Sequence, residues 1–145
     1  MALTGSVHAH HNFASDYAPN SMLVVRGSVA EVRYANPHIR VLIEQITDDG
    51  QPLRDAQGNP AQWPGETMSV RVAQRRNLTR ATLQSGQVIS LRGWLSRKDG
   101  VREMEVSAII QESGNVFFAR EHICGGRRNP PPPYPGLVPR SPAER

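Results

Sequence analysis

Residues 22–34, MLVVRGSVAEVRY, have the apolar pattern of one long β-strand with a glycine near its middle. The apolar series that ends at Val29 uses odd-numbered positions, whereas the series that starts at Val32 uses even-numbered ones. Because successive side chains of a strand point to opposite faces, one strand keeps both series inside only through a bulge or a sharp bend. We expect that irregularity near Ala30 and Glu31.

The chain that follows has the pattern of further short strands and one helix. Asn36-Pro37 is typical of a turn, since proline fixes its own φ angle and keeps its predecessor extended. Asn77 can cap a helix over residues 77–85, and Lys98-Asp99-Gly100 is typical of a hairpin turn. Alternating apolar residues predict strands at 39–43, 68–72, 89–95 and 104–110, and a short sixth strand at 116–119.

The order of these elements predicts the fold. Three strands, one short helix and two more strands, with a bent first strand that contains glycine, is the order of an OB-fold. We therefore predict an all-β chain with one short helix, folded as an OB-fold-like, five- to six-stranded small barrel. Closure removes exposed strand edges, which suits a chain whose single cysteine, Cys124, forms no internal disulfide. An open six-stranded sandwich is the alternative.

The N-terminal residues indicate export. Residues 1–9 resemble the last part of a secretory signal peptide, with Val7 and Ala9 at the two small-residue positions of a cleavage site before His10. The basic and most of the apolar parts of such a peptide are not in the sequence, so we interpret these residues as a remnant. The alternative is an ordinary disordered N-terminus. The first interpretation predicts a periplasmic or secreted protein.

The rest of the chain divides into three segments. Residues 10–21 are predicted to pack on the barrel, with Phe13 and Tyr17 as apolar anchors. The barrel domain is expected over 22–118. Residues 119–145 are rich in glycine, proline and arginine, which predicts a disordered or spacer-like tail. A polyproline segment that binds a partner is the other interpretation of this tail.

The charge distribution argues against a nucleic-acid partner. The net charge is +4, but the segment after Cys124 has four arginines and one glutamate and so carries +3 of it. A nucleic-acid groove concentrates basic residues on the folded body, interleaved with aromatic ones. A membrane-spanning helix is also excluded, since no run approaches the roughly 20 consecutive apolar residues that it needs.

Histidines are the candidate ligands of a metal ion. If cleavage follows Ala9, the new α-amino group of His10 and its own Nδ1 can chelate one metal, and His11 and His38 can supply further nitrogens. Such a nitrogen set favours copper(II). The alternative is that His10 and His11 are solvated near the chain end and that the backbone holds His38 in its turn.

No catalytic motif is present in the sequence. It has no glycine-rich phosphate loop, no Gly-x-Ser-x-Gly and no His-Glu-x-x-His, so we predict a binding protein without enzymatic activity. One rival function is a barrel that binds nucleic acid or glycan through a sheet face with Trp94, Arg92 and Arg71. Another is a protein-interaction module that docks a partner through the proline-rich tail.

Several short stretches together resemble a known family. They are His10-His11-Asn12-Phe13, Val25-Arg26-Gly27-Ser28-Val29, Asn36-Pro37-His38 and Ile89-Ser90-Leu91-Arg92-Gly93. Over residues 9–112 the chain resembles small exported bacterial proteins, family 6152, catalogued as a domain of unknown function, whose mature chains open His-His-Ser-Phe; here Asn12 stands in place of the serine. The resemblance implies export and a small β-barrel-like fold, and it brings no established activity. It makes His10, His11 and His38 the family-pattern histidines, which strengthens the hypothesis of a site for copper(II) or another divalent transition metal.

Overall fold

The protein is described from a computed structural model that covers residues 17–97 and 102–119, without the side chains of residues 18–21. The described chain is mostly β with one short helix, as predicted. No helix in these two ranges is long and apolar enough to span a membrane. The elements in chain order are β1 (Tyr17–Arg33), β2 (Arg40–Gln45), β3 (Gln62–Glu66), α1 (Val70–Arg75), β4 (Val88–Ser96), β5 (Met104–Gln111) and β6 (Val116–Phe118).

The six strands form one sheet in the order β3-β2-β1-β4-β5-β6, and neighbours in this order are antiparallel. A further, parallel pairing joins β3 to β5, where Gly65 lies opposite Met104 and Glu66 lies opposite Glu105. The pairings therefore run from β1 through β2, β3, β5 and β4 and return to β1.

The first strand has the predicted irregularity. Its register with β2 shifts between Val29 and Glu31, which confirms the bulge. Gly27 is required in this strand because a Cβ atom there would lie 2.6 Å from the backbone oxygen of Glu44. The strand begins at Tyr17, earlier than the alternation of side chains predicts, and there it pairs with the end of β4.

The prediction of a third strand at 68–72 is wrong. The third strand is Gln62–Glu66, and Val70 begins helix α1. The sequence is ambiguous here because Met68 and Val70 alternate as in a strand, while Val70 and Ala73 are spaced as on one side of a helix. Pro and Gly in the true strand hide it, since both are rare in strands.

The prediction of a helix over 77–85 is also wrong, for a reason that Asn77 makes clear. Its φ angle is 60°, in the left-handed region, so it ends helix α1 instead of beginning a second helix. The amide of Leu78 then donates to the carbonyl of Ala73 at 2.9 Å, as in a Schellman motif. Leu78 is fully buried and so anchors the C-terminal end of helix α1 in the core.

The core lies between the strands and the segment that links α1 to β4. The hydroxyl of Tyr34 donates to the carbonyl of Leu78 at 2.8 Å, and the guanidinium of Arg80 lies 5.0 Å from the Tyr34 ring. These contacts attach the link to the end of β1. The largest fully buried side chains are Ile39, Ile43, Leu78, Ile89, Leu91, Met104, Ile109, Val29, Val41 and Val106.

Several predicted features lie outside the described residues. They are the signal-peptide remnant at 1–9, the first part of the segment 10–21, the turn at 98–100 and the tail from residue 120 onward. The pairing of Leu95 with Met104 agrees with a hairpin between β4 and β5. The sixth strand is present as β6, close to its predicted position.

Candidate functional site

His38 lies between the Asn36–Pro37 turn and the start of β2, next to the end of β3. Two backbone hydrogen bonds of 2.9 Å fix this arrangement: the amide of Thr67 donates to the carbonyl of Ile39, and the amide of Ile39 donates to the carbonyl of Met68. The chain therefore enters β2 directly beside the chain that leaves β3. This position brings the imidazole of His38 to the last residue of β3.

Glu66 holds the imidazole from this position. Nδ1 of His38 lies 2.5 Å from Oε1 of Glu66, and the Arg40 guanidinium donates to the second carboxylate oxygen at 2.9 Å. The carboxylate side chain is 12% exposed, against 34% for His38 and 59% for Arg40. A nearly buried carboxylate is thus held on one side by an imidazole and on the other by a guanidinium.

The environment keeps Glu66 ionised. Burial raises the pKa of its carboxyl group, but the hydrogen bond and charge of His38 and those of Arg40 lower it by more. The net result is a pKa below the ordinary value. A buried charge of this kind is tolerated because both carboxylate oxygens have partners.

The ionised carboxylate determines which imidazole nitrogen can bind a metal. A carboxylate can only accept a hydrogen bond, so the proton between Glu66 and His38 belongs to Nδ1. Neutral His38 then has its lone pair on Nε2, and the part of the chain that the structure describes offers that nitrogen no hydrogen-bond partner. Histidines that bind metals usually donate the other ring N–H to a carboxylate or a carbonyl, which orients the ring and raises its basicity.

Of the three predicted ligands, the structure describes His38 alone. His10 and His11 precede the described ranges, so their place in the site stays a prediction. Within residues 17–97 and 102–119, no group of three or more His, Cys, Asp or Glu side chains is arranged to hold a metal ion. His38 would therefore need ligands from outside these ranges.

The residues proposed for a nucleic-acid or glycan face are not on one exposed surface. Trp94 and Arg92 are 3% and 5% exposed, and the guanidinium of Arg92 donates to the sulfur of Met22. Arg71, expected on the same sheet face, is exposed on helix α1 instead. This rival function thus loses its ligand-binding surface because two of its three side chains are covered.

The second tryptophan, Trp63, contacts side chains of neighbouring elements. Trp63 is half-buried in β3, and its indole N–H donates to the side-chain oxygen of Gln45 at 2.8 Å. The guanidinium of Arg102 lies 6.0 Å from its ring. Trp63 is therefore a partly buried strand residue whose indole N–H is occupied by Gln45.

Sequence reasoning misses Glu66. The stretch Gln-Trp-Pro-Gly-Glu at 62–66 has the composition of a loop, and a loop residue has no predictable cross-strand neighbour. Only the pairing of β2 with β3, which places Arg40 opposite Glu66, brings the carboxylate to His38. The one available signal is the charge of Arg40, which faces outward next to a histidine.

The family comparison agrees with the resemblance in the sequence motifs. A family model described as "Family of unknown function (DUF6152)" matches residues 1–104, a range that includes His10, His11 and His38. No curated protein and no solved structure matches the chain.

Proposed function

The chain belongs to DUF6152, a family of unknown function, and we propose that it is an exported OB-fold-like protein that binds copper(II) or another divalent transition metal. His38 supplies one ligand through Nε2, and His10 and His11 supply the others. The observation that carries this proposal is the contact between Nδ1 of His38 and the ionised carboxylate of Glu66. This contact leaves Nε2 of His38 with an available lone pair, at a partly exposed position.

The pairing of the strands supports a closed barrel of the OB type. In such a barrel the first strand pairs with the second and fourth, and the third and fifth strands close the ring. Here β3 and β5 pair in parallel, and α1 stands between β3 and β4 in the chain. The barrel gives His38 and Glu66 a rigid base, because Glu66 is the last residue of β3 and His38 lies two residues before β2.

The N-terminal histidines are within reach of His38. Tyr17 pairs with Ser96 on β4, and β5 alone separates β4 from the strand that ends in Glu66. Two strand spacings are about 10 Å, and two residues along β4 add about 7 Å. The seven residues from His10 to Tyr17 span up to about 24 Å when extended. The chain length therefore permits His10, His11 and His38 to share one metal ion.

Export would complete the ligand set. Removal of residues 1–9 would leave His10 as the first residue, with an α-amino group and Nδ1 that chelate the same ion. Two further imidazole nitrogens, from His11 and His38, make a nitrogen-rich set, for which copper(II) has the highest affinity among the first-row divalent ions. The periplasm or the extracellular space is the compartment in which we expect this form.

Copper titration tests the proposal. The form that begins at His10 and the form that begins at Met1 are titrated with copper(II) in the presence of a competing chelator. We expect tight one-to-one binding only in the form that begins at His10, because only there does His10 have a free amine. The substitution His38→Ala should weaken that binding strongly.

The control for this experiment is Glu112→Gln. Glu112 is an exposed carboxylate that accepts a hydrogen bond from Arg26 at 2.7 Å. Its substitution should leave the copper affinity unchanged. Equal affinities of the two chain forms, together with an unaltered affinity of the His38→Ala variant, would overturn the proposal.

A further inference from the structure

The outer face of β4 and β5 is buried although it does not belong to the core. Trp94, Ala108 and Ile110 are 3%, 0% and 9% exposed, yet they are not members of the core cluster. Ile109, which lies between Ala108 and Ile110, fills the core instead, and so do Met104 and Val106 on either side of Glu105, the residue that pairs with Trp94. Since successive side chains of a strand point to opposite faces, Ala108 and Ile110 face outward.

Exposed apolar residues continue this surface on both sides. Val24 on β1 is 49% exposed and lies one strand beyond Arg92, which pairs with Ala108. Phe118 on β6 is opposite Ala108 on the other side and is 38% exposed. We call Val24, Trp94, Ala108, Ile110 and Phe118 the outer apolar patch. The outer face of an antiparallel sheet is usually polar and open to solvent, whereas here Arg92 and Glu105 are also buried, at 5% and 6% exposure, among the apolar side chains. A covered face of this kind marks a contact surface.

We propose that residues 10–16 of this same chain dock on the outer apolar patch, with the ring of Phe13 against Trp94. A side chain as large as tryptophan is buried on the outer face of a sheet only when other residues lie over it. The chain enters the described structure beside this patch, because Tyr17 pairs with Ser96, two residues from Trp94. The guanidinium of Arg97 donates to the carbonyl of Tyr17 at 3.0 Å and holds that entry point.

The lengths are compatible with this contact. Ser96 and Trp94 are about 7 Å apart along the strand. The four residues from Phe13 to Tyr17 span up to about 14 Å, so a reversal of the chain before Tyr17 brings the Phe13 ring over the patch. An aromatic ring is a suitable occupant, because aromatic pairs add to the free energy gained from burial.

The C-terminal tail is the rival occupant. It follows Ala119, whose amide donates to the carbonyl of Ser107 at 2.8 Å, so it also starts near β5. Its first apolar residue is Ile123, and glycine, arginine and proline follow. The N-terminal segment is the better candidate because it leaves β1 next to Trp94 and has an aromatic residue within reach.

This docking does not depend on the metal site. Docking would occur without a metal. It would also hold His10 and His11 on the outer face of the sheet, where Glu105 lies between its two pairing partners, Trp94 and Glu66. Docking without metal binding, or metal binding without docking, are distinguishable results. The experiment on docking is therefore carried out in buffer that contains a strong chelator.

Tryptophan fluorescence of the full chain tests the docking. The substitution Trp63→Phe leaves Trp94 as the only tryptophan. In this background we expect weak quenching of Trp94 by acrylamide and a several-fold larger quenching constant after Phe13→Asp, because a charged side chain cannot stay against the indole. Phe13→Leu should keep the quenching weak, and Ile123→Asp should leave it unchanged. Circular dichroism and thermal unfolding confirm that each variant is folded.

Three results would overturn the inference. A rise in quenching after Ile123→Asp, with no rise after Phe13→Asp, would assign the patch to the tail. Quenching that weakens as the protein concentration rises would assign it to a second copy of the chain. Strong quenching already in the Trp63→Phe background would mean that nothing covers Trp94. If Phe13→Asp does not fold, the comparison of Phe13→Leu with Phe13→Ala decides, since alanine is too small to cover the ring.

Discussion

Nδ1 of His38 lies 2.5 Å from Oε1 of Glu66, and this contact joins the turn before β2 to the last residue of β3. The two residues are 28 positions apart in the sequence. The contact sets the orientation of the imidazole, while the guanidinium of Arg40 sets that of the carboxylate from the other side. A change at Glu66 should therefore act on the imidazole of His38 before it acts on the sheet.

Glu66→Gln should weaken copper binding by the form that begins at His10. Glutamine keeps the size of the side chain but loses the charge that makes Nδ1 the donor and raises the basicity of Nε2. Loss of such a partner reduces metal affinity by about 10- to 100-fold. The measurement is a copper(II) titration against a chelator, with Glu112→Gln as the control. An affinity equal to that of the unaltered chain would show that Glu66 does not orient a ligand.

The stability of the protein should fall at acid pH, in part because of Glu66. Although burial raises the pKa of this carboxyl group, His38 and Arg40 bring it below the ordinary value of 4.5. Between these two pKa values the unfolded state binds more protons than the folded state. The contribution of Glu66 to the free energy of unfolding is therefore complete above pH 4.5, and it disappears as the pH falls through the lower, folded-state pKa.

Urea unfolding of the unaltered chain and of Glu66→Gln, at several values between about pH 6 and pH 3, measures this contribution. Glutamine does not titrate, so the variant should lose less stability than the unaltered chain over this range. Glu112→Gln, which removes an exposed carboxylate, should follow the unaltered chain closely. Parallel pH profiles for Glu66→Gln and the unaltered chain would contradict the prediction.

The sequence predicts the strands better than it predicts the site. Strands β2, β4 and β5 follow from regular alternation, and the bulge in β1 follows from a change of parity at Val29. The positions of β3 and α1 do not follow, because Pro64 and Gly65 hide the strand and Val70 fits both periodicities. Whether residues 62–66 form a strand and whether Val70 begins a helix cannot be decided without the pairing of β2 with β3, which is a long-range contact.

The candidate site divides in the same way. The Asn-Pro-His stretch points to His38, and the family match confirms the resemblance on which that choice depends. Glu66 is not predictable, since its role arises from a hydrogen bond to His38, which is 28 positions away in the sequence. His10 and His11 stay predictions, because they lie outside the residues that the structure describes.

Gly27→Ala should destabilise the protein more than Ser28→Ala, the alanine substitution at the next residue. A Cβ atom at this position would lie 2.6 Å from the oxygen of Glu44 and 3.1 Å from Cδ1 of Ile43. The strands β1 and β2 would have to separate, and overpacking of this kind costs about 1–3 kcal/mol. Chemical unfolding gives the free energy. Ser28→Ala, at the next residue, is the control and should change it by less than about 0.5 kcal/mol. A similar loss in both variants would mean that the close approach of the strands has no energetic importance.

Substitutions of Asn77 should show that this residue ends a helix and does not begin one. Its φ angle of 60° is one that glycine adopts without strain and that asparagine tolerates better than other residues. Asn77→Gly should therefore keep or raise the free energy of unfolding, whereas Asn77→Ser should lower it by about 1 kcal/mol. An N-cap has the opposite order, since serine is as good there as asparagine and glycine is slightly worse. Thermal and urea unfolding of the two variants give the order directly. If serine proves better than glycine, the helix termination through Asn77 and Leu78 is incorrect.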